Sequence, residues 1–439
     1  MPNIKKLVAI SVALLAITGC NQKEKDAIDK DLLTLAKTDD TYICSADPNW
    51  IIDPNNPPAE IPLGENAQIC QFYQFSWQWF INLMYAPNGT ERNYQSQANY
   101  PVFVGPTNNS CTNNEETSKL FVRTQKDAHT TAEDFTLPTG ENQALSDAVI
   151  YDQNGNIVLY EARFDRNMCN VAQGSKTLPA GTTEIKSSWR KITEAEKPEY
   201  VWLQSDTNAN DTLDSDEIYG LVGFHLVKST ALHPEFIWAT FEHRKNAPDC
   251  QKKGNPASDK NWSFASESCA GSLPNPTASC EFNKTLDHDK SPSMTGTPTE
   301  ICQVYAQGTN PGDNQSETNR HNIITINAEL NVMFNLLPEA SSLAVLKHYE
   351  LVGGIWEDDI SKPSTDESNL RGSIQLANTT METNAQQGFG TAPGYDGIPY
   401  TGPTNLQPAA QCFDCHGYSG PDSNAQVSHI FSKIHGSSN

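Results

Sequence analysis

Apolar positions change their period along the chain, and each change marks an element. Between Glu65 and Tyr85, the residues Ile69, Phe72, Tyr73, Ser76, Phe80 and Leu83 recur at helical spacing, with Trp77 and Trp79 beside them. This predicts a buried helix. From about 100 to 245 the apolar runs shorten to strand length. Ala148-Val149-Ile150-Tyr151 and Ile157-Val158-Leu159-Tyr160 flank a turn containing Asn154-Gly155, a strong hairpin signal. Further strands are predicted at Leu120 to Thr124, Glu184 to Trp189, Tyr200 to Gln204, Leu221 to Val227 and Phe236 to Glu242. Ile323 to Leu337 carries apolar residues at mixed spacing and stops at Pro338, and Leu343 to Trp356 reads as a helix running into a strand.

Between these segments the chain is polar and irregular. Asp53-Pro54-Asn55-Asn56-Pro57-Pro58 marks an extended loop, residues 246 to 320 are loop-like, and 388 to 410 are rich in Gly, Pro and Thr. No period of repeat-protein length recurs. The expected fold is α+β and β-rich, with one large disulfide-stabilised body over residues 65–387. A short C-terminal segment, 388–439, docks on it.

The 439 residues carry a net charge of −23. Such a surface disfavours nucleic acid and anionic lipid and favours cations or a basic protein partner. A plain solvated acidic surface accounts for most of that charge.

The N-terminus addresses the compartment. Lys5 and Lys6 precede an apolar stretch from Leu7 to Ile17 that is too short to span a bilayer. Ile17-Thr18-Gly19-Cys20 resembles a bacterial lipobox. The resemblance implies a signal peptide over 1–19, cleavage before Cys20 and lipidation of its thiol, which anchors the chain without a transmembrane helix. Asn21 at the next position leans toward the outer membrane. Residues 20–64 read as a lipidated tether and extended loop.

There are 11 cysteines. Setting aside Cys20, Cys412 and Cys415 leaves an even set, suited to disulfides in an oxidising compartment. Pairing by proximity along the chain joins Cys44 to Cys70, Cys111 to Cys169, Cys250 to Cys302 and Cys269 to Cys280. Sequence alone leaves the connectivity open.

Cys412-Phe413-Asp414-Cys415-His416 is C-x-x-C-H, the attachment signature of a c-type haem. Two thiols add across the two vinyl groups of one porphyrin, and the next histidine falls over one face as the proximal iron ligand. A zinc site or a disulfide is the plain alternative. The tail from Cys412 to Asn439 is too short to cover both faces of a haem. Burying apolar area stabilises by about 25 cal/mol per Å², so the group is expected to dock on the body. For the sixth position the candidates are His429, with Met381 as the rival and His435 as a weaker choice. A methionine ligand raises the potential relative to two histidines.

Asp206, Asn208, Asn210, Thr212, Asp214 and Glu217 follow the ligand spacing of a calcium loop, with Leu213 at its apolar position. Asp211 stands where such a loop has Gly, and an acidic turn without metal is the equal alternative. His225, His233 and His243 lie close in sequence, which is more often a set of satisfied structural histidines than a site. No G-x-S-x-G, H-E-x-x-H, phosphate loop or dinucleotide fingerprint is present, so hydrolase and nucleotide readings lack support.

Phe75-Ser76-Trp77-Gln78-Trp79-Phe80, Gly220-Leu221-Val222-Gly223-Phe224-His225, the stretch Phe236 to His243, Leu376-Ala377-Asn378-Thr379-Thr380-Met381-Glu382-Thr383 and the terminal C-x-x-C-H occur together. In combination they resemble a group of exported bacterial cytochrome c family proteins. The resemblance implies a haem protein with no assigned reaction. The attachment motif lies at the chain's end, unlike that of class I cytochromes c, so their methionine position does not carry over.

The expectation is therefore a membrane-anchored, single-haem protein that passes electrons to a redox partner. Two other readings stay open. One is a haem-dependent periplasmic oxidoreductase, peroxidase-like or with a substrate site near His225 and His243. The other is a zinc-stabilised binding lipoprotein.

Overall fold

The computed structural model describes residues 44–103, 111–112, 120, 149–207, 213–215, 217–252, 261–284, 293–304, 306, 314–374, 376–383 and 412–434. The signal and lipobox region, the rest of the strand expected at Leu120 to Thr124, the approach at 388–410 and His435 lie outside them.

Cys44–Asn439 forms one compact unit. Its centre is a seven-stranded antiparallel sheet: β1 (Leu159–Phe164), β2 (Thr183–Lys191), β3 (Trp202–Gln204), β4 (Ile218–Lys228), β5 (Ile237–His243), β6 (Tyr349–Glu357) and β7 (Leu370–Gly372). The spatial order is β1-β2-β4-β5-β6-β7, and β3 pairs with the start of β4. Four strands sit where alternation placed them. The expected hairpin before β1 forms as a tight turn, in which Tyr151 pairs with Ile157 and Gly155 takes a φ of +76°. Glycine reaches that left-handed backbone without the strain a Cβ brings.

The helices are α1 (Asn49–Ile52), α2 (Ile69–Met84), α3 (Glu267–Ala270), α4 (Asn314–Asn335), α5 (Cys412–Cys415) and α6 (His429–Ile434). The Gln68 amide donates to Gln71 Oε1 at 2.8 Å, which closes the first turn of α2. One face of the sheet packs against α2 and α4. Phe80 stacks on Phe241 with centroids 4.0 Å apart, and Phe72 stacks on Trp356 at 3.9 Å. Such pairs add about 1 kcal/mol each beyond burial.

α4 begins well before the apolar run suggested. Ile323, Ile326, Leu330 and Phe334 are its apolar contacts, but asparagines share the buried side. Asn327 accepts from Trp77 Nε1 and the Leu351 amide and donates to the Leu351 carbonyl, and Asn331 donates to the Lys347 carbonyl. Each side-chain amide satisfies backbone that would otherwise be buried unpaired.

Among the described residues, four disulfides form, Cys44–Cys70, Cys111–Cys169, Cys250–Cys302 and Cys269–Cys280, the pairing that proximity suggests. The first ties the stretch before 65 to α2. Together with the bond from the Ala46 amide to Glu329 and from Trp79 to the Pro58 carbonyl, it makes that stretch part of the body.

Candidate functional site

The face of the sheet away from α2 and α4 is polar at its middle. Registered pairing fixes which side chains share it. Glu184, Lys186 and Ser188 of β2 lie opposite Val227, His225 and Gly223 of β4. Those in turn lie opposite Trp238, Thr240 and Glu242 of β5. Directly opposed residues point to the same side. Two segments cover this face, 376–383 and 412–434.

The first covering segment contains Asn378-Thr379-Thr380-Met381-Glu382. Asn378 Nδ2 donates to Thr240 Oγ1 at 2.9 Å, and Thr380 Oγ1 meets Ser188 Oγ at 2.7 Å. The Thr379 amide donates to Glu242 Oε1 at 2.7 Å, and its hydroxyl donates to the other oxygen of the same carboxylate. Asn246 and Gln303 also donate to Glu242. Glu382 closes the segment through the Asn378 amide at 2.7 Å and reaches His225 Nε2 at 2.7 Å. Gly223 leaves the room for this packing: a Cβ there would come within 2.5 Å of Ser188 Oγ and 2.6 Å of Asn378 Oδ1 and Thr380 Oγ1.

The second covering segment comprises the C-x-x-C-H stretch and the residues after it as far as 434. α5 spans Cys412–Cys415, and the His416 amide donates to the Cys412 carbonyl at 3.0 Å, so Cys412 and His416 lie one turn apart. The His416 ring is buried. Its Nδ1 is 2.8 Å from the Val427 carbonyl. A carbonyl only accepts, so Nδ1 carries the hydrogen and Nε2 keeps its lone pair. Trp238 lies against the imidazole at 4.5 Å and against Phe413 at 6.0 Å. The segment is fastened to the body by Ser428 on the Glu184 carboxylate, and by Asn424 on the Leu178 amide and the Pro234 carbonyl. Tyr418 also holds it, through Ser364 and the Ile360 carbonyl.

Charge gathers where the two segments meet. Burial pushes the Lys186 ammonium down, opposed by Glu184, Glu382 and Cys412. Burial lowers His416 well below the usual imidazole range, and the Lys186 charge and His429 add to this. Glu382 falls below the usual carboxylate range, because burial, which raises it, is outweighed by His225, the Asn378 amide and Lys186. Burial lifts Glu242 to about 7 against the pull of its donors.

Of the residues singled out in the sequence, the fold brings together His416, His429 and Cys412. His429 stacks on His416 with centroids 4.1 Å apart and planes at 22°. In that pose the rings present faces to each other, whereas a metal is bound through the in-plane lone pair. Met381 is fully buried in another apolar cluster, among Ile150, Tyr160, Ile218 and Phe264. His225 and His243 do not converge. His225 lies opposite Thr240, and strand alternation puts His243, three residues on, on the other face. There His243 stacks on Tyr200 at 4.1 Å and bonds the Glu199 carbonyl and the Lys245 amide through its two nitrogens. His233 bonds Glu235 in the turn before β5.

In the acidic loop, Asn208, Asn210, Asp211 and Thr212 lie outside the described residues. The Glu217 carboxylate accepts from the Thr207 amide and hydroxyl and from the Asp214 amide. Among the described residues, no group of three or more His, Cys, Asp or Glu converges to hold a metal.

No family model, curated protein or solved structure matches this chain. The geometry therefore carries the functional argument alone. Lys186, Trp238 and Glu242 emerge only in three dimensions. The available signal was a strand, Glu184-Ile185-Lys186-Ser187-Ser188-Trp189, that places charges on the same side at alternate positions.

Proposed function

We propose that this chain is a membrane-anchored c-type cytochrome that carries one covalent haem and passes single electrons to a protein partner. One observation carries the reading. In the C-x-x-C-H stretch, one turn after Cys412, lies a buried histidine whose Nδ1–H is held by a carbonyl. A metal-ligating imidazole is oriented in this way, through the nitrogen that does not bind. By their chemistry, Cys412 and Cys415 would supply the thioethers, and His416 Nε2, left with its lone pair, would bind the iron.

Haem bound there supplies a reversible one-electron couple. Each neighbouring residue has a task. Val427 fixes the tautomer of His416. Trp238 and Phe413 keep water from the imidazole. Ser428, Asn424 and Tyr418 hold the segment on the sheet, so that the ligand does not swing with the tail. Anchoring through Cys20 places the body at the envelope, with the outer membrane favoured, and the net charge of −23 suits a basic partner.

The test uses chain produced with and without the cytochrome c maturation machinery. The expected results are a reducible Soret spectrum and a denatured mass above that of the bare polypeptide. Both should be lost together in the Cys412→Ser, Cys415→Ser double variant. Stoichiometric zinc with a bare denatured mass overturns the proposal.

A further inference from the structure

Two carboxylates buried beneath the C-terminal segment have no place in that reading. Glu235 lies in the turn before β5, and Glu357 ends β6 beside it. Both are 0 % exposed. Glu235 Oε1 accepts from His233 at 2.8 Å and from the Glu357 amide at 3.4 Å. Glu357 Oε2 accepts from Asn369 Nδ2 at 3.3 Å. The remaining oxygens, Glu235 Oε2 and Glu357 Oε1, are buried with no hydrogen-bond partner. Among the described residues, no lysine or arginine forms an ion pair with either. Asp359 and Asp366 add further negative charge around Glu357.

We infer that Glu235 and Glu357 together bind a divalent cation of the calcium type. An orphaned, buried carboxylate oxygen is expensive, and there are two here. A hard cation accepts carboxylate oxygens at about 2.3 to 2.6 Å and would satisfy both orphaned atoms. Only two side-chain carboxylates are involved, so the pair stands apart from any site of three or more acidic or histidine ligands.

The position gives the ion a task. The loop from 358 to 369 leaves Glu357 and clamps the C-terminal segment. The Tyr418 amide donates to Ser364 Oγ at 2.9 Å, the Ser364 amide donates to the Tyr418 carbonyl at 2.9 Å, and Tyr418 Oη donates to the Ile360 carbonyl at 2.8 Å. Glu235 and Glu357 both act electrostatically on that phenol. A cation at the pair therefore sets the loop that fastens the chain two residues beyond His416.

The experiment is a calorimetric titration of chelated full-length chain with calcium chloride at pH 8, alongside thermal melts. The expected result is one ion bound at about 1 mM or tighter, with a rise in melting temperature. Glu357→Gln and Glu235→Gln, each checked for native circular dichroism, should weaken binding at least about tenfold, as expected from the loss of one ligand charge. Glu217→Gln should leave it unchanged. Terbium, read by luminescence excited through tyrosine, gives a second measure if one variant folds poorly. The inference is overturned by a wild type that binds no calcium. It is equally overturned by binding that survives Glu357→Gln but disappears in Glu217→Gln, which places the ion in the 206–217 loop.

Discussion

Thr379 gives both its amide and its hydroxyl to Glu242, so two residues 137 positions apart close the polar side of the sheet. The carboxylate also gathers Asn246 and Gln303, and no cation pairs with it among the described residues. Burial without a counter-charge is why its affinity for a proton rises. The folded state holds that proton more tightly than the unfolded chain does. Its stabilising share is therefore full below 4.5 and is lost as pH rises through about 7. Glu242→Gln should flatten this part of the stability–pH profile. It should also cost about 1 to 3 kcal/mol at low pH, because an amide NH₂ then faces donors. Urea unfolding across the range measures both effects, and an unchanged pH slope would remove Glu242 as the cause.

Gly223 tests the same packing from below. Adding one methyl drives it into Ser188, Asn378 and Thr380 at once. Gly223→Ala should cost about 2 kcal/mol, the range for overpacking a filled site, and should speed proteolysis between 376 and 383. A neutral substitution would mean that the 376–383 segment is held loosely.

The legible and the hidden parts of the fold differ in where their ordering information lies. Strand alternation is local, and the strands around Ser187, Phe224 and Trp238 were readable from it. Nearness in sequence happens to match the disulfide pairing, but cysteine spacing alone does not decide connectivity. α4 was blurred because Asn319, Asn327 and Asn331 do in the core what leucines do elsewhere, and a hydropathy pattern counts them as surface. The partnership of Glu242 with Thr379 and the seat of His416 against Trp238 depend on non-local closure. The motifs containing these residues stood out, but their meeting did not.

The disulfides order the part of the chain with the thinnest core. Cys250, Cys269, Cys280 and Cys302 form a small cluster with Ala265, Leu273 and Phe282. Opening Cys269–Cys280, whose separation is 11, releases a short loop. Opening Cys250–Cys302, at 52, releases a long one. Loop-closure entropy gives about 3 kcal/mol for the first double Cys→Ser variant and about 4 kcal/mol for the second. Denaturant unfolding of both variants checks the order, and a larger loss from the short loop would point to enthalpic strain or residual structure in the unfolded state.

His416 and His429 separate the roles of ligand and neighbour. His416 is buried and fixed by the Val427 carbonyl, so His416→Ala removes the proximal nitrogen and leaves the cysteines in place. Under the haem reading, pigment should stay on the denatured polypeptide while the low-spin spectrum disappears. His429 lies face to face with His416, so its ring face and not its lone pair meets that imidazole. If it turns to become the sixth ligand when the group is bound, His429→Ala should open the iron and speed carbon monoxide binding to the reduced protein. If it remains a stacking partner, that rate should match the wild type, while the His416 ring loses one of its two aromatic supports. Met381 lies in a separate cluster among Ile150 and Phe264, so Met381→Leu should leave both the spectrum and the rate unchanged and cost under about 1.5 kcal/mol of stability. A shifted spectrum in Met381→Leu would reverse the order of the two candidates.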